Sequence, residues 1–139
     1  MDHEWLDNLH RLALQQMQEG IILSDAEGNI VFVNDAAERI RNIKRENILG
    51  KSMLRCHKDE SQEKVQRALS YLKTHEGTNI SRMVTDTQND KIYENTYASI
   101  FDEAHTLHGV AVISRDITQQ RKAEESKEAY QRAQARAND

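Results

Sequence analysis

An α+β fold built on one antiparallel sheet is predicted by three observations. Two short apolar runs are joined by a glycine turn near the start, a long amphipathic stretch follows, and three strand-like runs come in succession after it. The opening pair spans Gly20 to Asn34, GIILSDAEGNIVFVN. Ile21-Ile22-Leu23 and Ile30-Val31-Phe32-Val33 carry the β-branched and aromatic side chains that suit a pleated surface, and Gly28-Asn29 between them take positive φ at low cost. A hairpin is the economical reading. Asn34-Asp35 then offers two N-cap side chains, and Ala36-Ala37-Glu38-Arg39-Ile40 begins a helical pattern in place of a third strand.

Ahead of the hairpin, Asp2 to Gln18 sets Leu6, Leu9, Leu12, Ala13 and Met17 at spacings of three and four beside Trp5, which predicts a helix with one apolar stripe. Such a stripe either covers the domain's own sheet or pairs with a second copy. Between Ile43 and Gly77 the pattern is helical: Glu46 to Lys51 reads as one turn ended by Gly50, and Asp59 or Glu60 through Lys73 places Val65, Ala68, Leu69 and Leu72 on one face. Glu76-Gly77-Thr78-Asn79 breaks that pattern. Strands are predicted at Ile80 to Thr87, Lys91 to Phe101 and Leu107 to Arg115, separated by Gln88-Asn89-Asp90 and Asp102-Glu103. The final run, Asp116 to Asp139, reads as a helix with few large apolar residues. Asp116-Ile117-Thr118-Gln119 forms a capping box at its start. The organisation expected is a flanking helix over 1–18, one domain over 19–118 and a linker helix over 119–139.

Composition narrows the function classes. A chain of 139 residues holds one core rather than two, and its polarity (30% charged residues, mean hydropathy −0.82) is concentrated at the two ends. With a net charge of −4, no domain-wide attraction to nucleic acid or anionic lipid is expected. The single cysteine, Cys56, excludes an internal disulfide framework and a multi-cysteine zinc site, and it suits a reducing, cytoplasmic setting. No apolar run approaches the ~18 residues of a membrane helix, and the N-terminus lacks a signal-peptide core, so no membrane insertion is expected. Without a glycine-rich phosphate loop, a Ser/His/Asp order or a paired-carboxylate constellation, the segment is not expected to be an enzyme itself.

The elements, in this order, resemble the PAS family of sensor domains. The resemblance is carried by Gly20-Ile21-Ile22, Asp25, Gly28, Ile30 and Val33-Asn34-Ala36-Ala37 at the front, Ile48-Leu49-Gly50-Lys51 in the middle, and Gly109-Val110 with Arg115-Asp116-Ile117-Thr118 at the end. It covers roughly residues 18 to 120. It implies a five-stranded antiparallel sheet cupping helices on one face, with a cavity between sheet and long helix for a ligand or cofactor. It also implies that Asp116-Ile117-Thr118 passes a signal into a helix leading to a histidine kinase, a cyclase or a transcription effector, in a protein that dimerises through its flanking helices.

The sharpest local chemistry is Leu54-Arg55-Cys56-His57-Lys58-Asp59-Glu60-Ser61. Its run His57 to Ser61 is similar to a subgroup of carbon-monoxide-responsive heme PAS regulators. That similarity implies heme b held by His57 and, from the following strand, Met83. Here Lys58 stands where that subgroup has proline. The alternatives are a surface or capping role for His57, and a place for Met83 in the core or cavity wall. Cys56, beside Arg55, His57 and Lys58, reads either as a thiol redox switch or as a small buried residue. Light-sensing flavin relatives carry an Asn-Cys-Arg-Phe pattern that Cys56-His57-Lys58 does not match. Three function classes follow: a sensor of heme or another small ligand, a cofactor-free dimerisation and docking module, and a thiol switch.

Overall fold

The structure, a computed structural model, describes residues 3–138 apart from the Cys56 side chain. The expectations that reach Asp2 and Asp139 therefore extend outside the described residues. In chain order the elements are α1 (His3–Gln16), β1 (Gly20–Asp25), β2 (Ile30–Val33), α2 (Asp35–Arg41), α3 (Arg45–Ile48), a 3₁₀ turn (Met53–Cys56), α4 (Asp59–Thr74), β3 (Asn79–Asp86), β4 (Lys91–Phe101), β5 (Leu107–Asp116) and α5 (Thr118–Ala137). The strands form one five-stranded sheet in the order β2-β1-β5-β4-β3, antiparallel throughout. The last strand pairs with the first, so the hairpin β1-β2 becomes one wing and β3-β4 the other.

Register decides what the helices cover, because residues directly opposite each other in paired strands share a face. Val33, Ile22, Val112, Tyr97 and Ile80 are aligned across all five strands. This rung is the floor of the core, and Val65 and Leu72 of α4, Ile48 of α3, Met53 and Ile30 close over it. The next rung is polar: Gly20, Ser114, Asn95 and Arg82. Ser114 donates to Asn95 Oδ1 at 2.8 Å, which satisfies two buried polar side chains on the inner face.

At the turn of β1-β2, Gly28 has the positive φ (87°) the tight turn needs, while Asn29 does not share it and instead bridges to Ser52. Of the two candidate caps for α2, Asn34 takes the role, accepting from Ala37 N at 2.9 Å. The same fully buried amide accepts from Ile21 N (2.8 Å) and donates to the carbonyls of Leu14 (2.8 Å) and Glu19 (3.0 Å). One side chain thus ties β1, the start of α2 and the end of α1 together.

The stripe on α1 does not cover the sheet. No residue of α1 is buried, and Trp5 (58% exposed), Leu9 and Leu12 form a ridge at i, i+4 and i+7 that faces away from the core. The helix is fastened by its C-terminal end, at the Leu14 carbonyl, and that leaves the apolar face to solvent.

Candidate functional site

The cavity opens on the polar side of the core. A space of about 840 Å³ lies between the end of α2, the start of α4 and the β3-β4 wing. Its lining includes Arg39, Arg41, Lys58, Arg82 and Lys91 against a single carboxylate, Asp86. A chain that is acidic overall therefore presents a cationic recess. Asp86 offsets this in part, acting on Lys58 through its charge. Its oxygens accept from the Gln88 amide (3.1 Å), the Asn89 amide (3.3 Å) and Asn89 Nδ2 (2.8 Å), which commits the carboxylate to its own turn and holds it below the usual carboxylate range.

His57 sits where the 3₁₀ turn meets α4 and forms part of the cavity wall. Its Nδ1 lies 3.2 Å from the Met53 carbonyl and its Nε2 lies 2.8 Å from the hydroxyl of the buried Tyr97. A carbonyl only accepts, so Nδ1 carries the proton and Nε2 accepts from Tyr97 O–H. The two rings also stack, with centroids 5.7 Å apart. Burial pushes the imidazole pKa down from 6.5 to about 3, and the charges of Arg41 and Arg82 add to that effect against the opposing bond to Met53. His57 is a neutral ring held from both sides.

Met83 is not brought to this wall. On β3 burial alternates strictly, with Ile80, Arg82, Val84 and Asp86 turned inward, and Met83, 54% exposed, lies on the outer face in register with Glu94. The expected pair of axial ligands is therefore split across the sheet, because a strand alternates sides at every residue. The Nε2 lone pair that iron would need is occupied by Tyr97, and the recess is lined largely by charged and polar side chains. These residues do not fit a heme ligated by His57 and Met83. Cys56 ends the 3₁₀ turn, and its thiol lies outside the described residues.

The inward neighbour of Met83 on the β3 stretch that lines the recess is Arg82, which the sequence analysis did not single out. Its Nη2 donates to Ser61 Oγ at 3.5 Å. Across the recess, Nη1 of Arg41, at the end of α2, donates to Ser114 Oγ at 3.0 Å and so extends the Ser114–Asn95 pair into a chain. A sequence signal for Arg82 did exist: the alternation of Ile80, Arg82 and Val84, once the register is known.

The exit from the sheet is built at Asp116-Ile117-Thr118. Asp116 Oδ1 accepts from both the amide (3.0 Å) and the hydroxyl (2.6 Å) of Thr118, and these bonds lower its pKa. Its partner is thus two residues away, and its cationic neighbour is Lys91, at 3.8 Å, while Arg115 pairs with Glu19 and Glu94. Ile92 of β4 clasps the same junction: its carbonyl accepts from Ile117 N (2.9 Å) and its amide donates to Thr118 Oγ1 (2.9 Å). One turn into α5, Lys122 reaches Asp90 at 2.5 Å. The start of α5 is fastened to the β3-β4 wing. Beyond its first turn α5 is exposed, including Tyr130.

No helix among the described residues is long and apolar enough to cross a membrane. They hold no cluster of three or more His, Cys, Asp or Glu side chains that could bind a metal ion.

Comparison with known proteins agrees with this architecture. A family model described as the PAS fold matches residues 14–122. The PAS domain of a protein from Colwellia psychrerythraea superposes with a TM-score of 0.66 at 18% identity, covering 82% of this chain and 98% of that one. The PAS domain of BvgS from Bordetella pertussis gives 0.60 at 20% identity, covering 91% and 99%. A cyclic di-GMP phosphodiesterase, PdeB of Shewanella oneidensis, is 23% identical over 112 residues, which are 79% of this chain but 13% of that protein's length. The matched span takes in both wings of the sheet, the cavity and the exit junction, and the chain belongs to the PAS fold family, the non-catalytic sensory modules of signalling proteins.

Proposed function

We propose that this chain senses a small molecule in the cavity beside His57 and passes its occupancy to α5 through the first residues of β4. One observation carries the reading. Lys91 lines the cavity and lies 3.8 Å from Asp116, and the next residue, Ile92, is bonded to Ile117 and Thr118. A ligand that draws Lys91 inward therefore pulls on the junction from which α5 emerges. A helix held at one end by a few bonds is a two-state lever whose equilibrium a ligand biases through differential contacts. The effector is proposed to be another part of a longer protein, such as a nucleotide phosphodiesterase of the kind named for the Shewanella relative, or a histidine kinase.

A native mass spectrum of the purified chain, paired with hydrogen exchange before and after ligand removal, tests this. A retained small molecule whose loss changes protection at residues 116–122 is the expected result. Ligand loss that leaves those amides unchanged defeats the transmission step. Added hemin serves as the test of the heme version: a sharp Soret band lost in His57→Ala would restore heme as the ligand.

A homodimer formed through the flanking helices is a second reading, favoured by the exposed ridge of Trp5, Leu9 and Leu12 on α1. Burying such a ridge against its twin removes three large apolar side chains from water.

A further inference from the structure

The two edges of the sheet differ. At β2, four residues long, the edge is closed: Ile30 N donates to the Lys51 carbonyl (2.8 Å), Gly50 N donates to the Ile30 carbonyl (2.7 Å), and Asn29 bridges to Ser52. At β3 it is open. Among the described residues no backbone bond joins Asn79–Asp86 to any segment but β4. We propose that this open edge docks a second copy of the chain, the two β3 strands pairing antiparallel about a twofold axis at Val84 so that the two sheets become continuous.

β3 lacks the features that keep an edge strand from pairing. It runs in unbroken register with β4 over its whole length, whereas the β1-β2 and β4-β5 pairs each carry an irregularity. It holds no lysine or proline, and the side chains of its outer face, Asn79, Ser81, Met83 and Thr85, are uncharged and exposed. Unpaired amides and carbonyls along such a strand are a template for another strand.

The residues of the edge select both its occupant and the register. Residues opposite each other in an antiparallel pair share a face, and a twofold axis normal to the sheet keeps inner faces together, so the axis passes through a residue position. At Arg82 it would set two guanidinium groups opposite each other. At Ser81, Met83 or Thr85 it would set a charged side chain opposite an apolar one. Of the positions 81–85, only Val84 makes every pair agree: Val84 meets its twin, Met83 meets Thr85 on the outer face, and on either side of the axis the charge of Arg82 faces that of Asp86. Opposite charges and apolar pairs that face each other stabilise a ladder, and like charges oppose it. Asp86 is held ionised by the bonds of its own turn, so its charge is present for the pairing.

This joint is separate from the ridge on α1, which is fastened at the other wing, and it runs along the border of the cavity that Arg82, Val84 and Asp86 also line. A single ladder covers less than the ~1,200 Å² or more of a stable interface, so the association is concentration-dependent.

The test uses the full chain with Cys56→Ser, so that one introduced thiol reports, and with Trp5→Ser/Leu9→Ser/Leu12→Ser, so that the ridge plays no part. Val84→Cys lies on the axis, where facing Cβ atoms come within disulfide reach, while Ser81→Cys is roughly 20 Å from its twin along the strand. On mild oxidation Val84→Cys is expected to give a product of twice the chain mass at least about tenfold faster than Ser81→Cys, although Ser81 is the more exposed, with a rate that rises with protein concentration. Arg82→Glu added to Val84→Cys is expected to slow the reaction several-fold by facing two carboxylates, and Asp86→Lys added in turn to restore it. Equal rates at positions 81 and 84 overturn the proposal, as does an Arg82→Glu protein that cross-links as fast as its parent. Failure of Asp86→Lys to restore the rate, with circular dichroism unchanged, overturns it too; where that substitution unsettles its own turn, the rates at 81 and 84 decide.

Discussion

Acidification isolates the buried ring of His57. In the unfolded chain a histidine protonates near pH 6.5, whereas the folded ring, desolvated and close to Arg41 and Arg82, waits until about pH 3. Between those values the unfolded state binds the extra proton, so stability is complete above pH 6.5 and drains away as the pH falls towards 3. Going from pH 7 to pH 5, the linkage integral for such a shift is about 2 kcal/mol, and partial solvation of the ring trims this to about 1–2 kcal/mol. The carboxylates whose pKa values are lowered, Asp86, Asp102 and Asp116 among them, act in the same direction but at lower pH, below their ordinary value of 3.8. Urea unfolding of the wild type and of His57→Gln at pH 7 and pH 5 separates the two effects. The wild type should lose about 1–2 kcal/mol more than the variant over that interval, a midpoint difference on the order of 0.5–1 M. Equal losses in the two proteins would refute the idea that a neutral, desolvated His57 is part of the folded state.

Other perturbations reach separate parts of the molecule. Asn34→Ala removes four hydrogen bonds and strands the buried amides of Ile21 and Ala37, so a loss of about 2–4 kcal/mol is expected in the same urea assay; a loss under 1 kcal/mol contradicts the hub role. Gly109→Ala places a methyl group 1.9 Å from the Ser24 carbonyl oxygen, a backbone atom that cannot swing aside, and little soluble folded protein should result. Thr118→Val keeps the volume but deletes the hydroxyl bonded to both Ile92 and Asp116, so amide exchange should accelerate through the first turn of α5 while the core strands stay protected. For the dimer, light scattering of a Trp5→Ser/Leu9→Ser/Leu12→Ser variant should give half the wild-type mass; point changes are preferable to deletion, because Asn34 needs the Leu14 carbonyl at the base of α1.

The elements were legible because each is written in local periodicity. β4 runs over the predicted Lys91–Phe101, β3 and β5 come within a residue of expectation at either end, and α4 covers the predicted stretch with Val65 and Leu72 buried. The helix start after Asp116 was legible, but the expected capping box is not what forms there: Ile117 is the N-cap without a side-chain bond, and Asp116 accepts from the amide and hydroxyl of Thr118. His57 was found at the cavity wall, but its role was not readable, because Tyr97 is 40 residues away and no local pattern announces a hydrogen bond across that distance. Met83 and Arg82 are one residue apart, and sequence alone could not tell which of them turns inward.

The sequence by itself determined the order of strands and helices, the turn at Gly28 and the helix start after Asp116, all set by backbone chemistry within a few residues. Tertiary structure alone decided the face of each strand, the partner of each buried polar group and the sign of the cavity. These depend on the register between β3, β4 and β5, a long-range choice made by packing Tyr97, Val112 and Ile22 beneath α4. That packing turned Arg82 rather than Met83 towards the recess beside His57, and so set the charge of its lining.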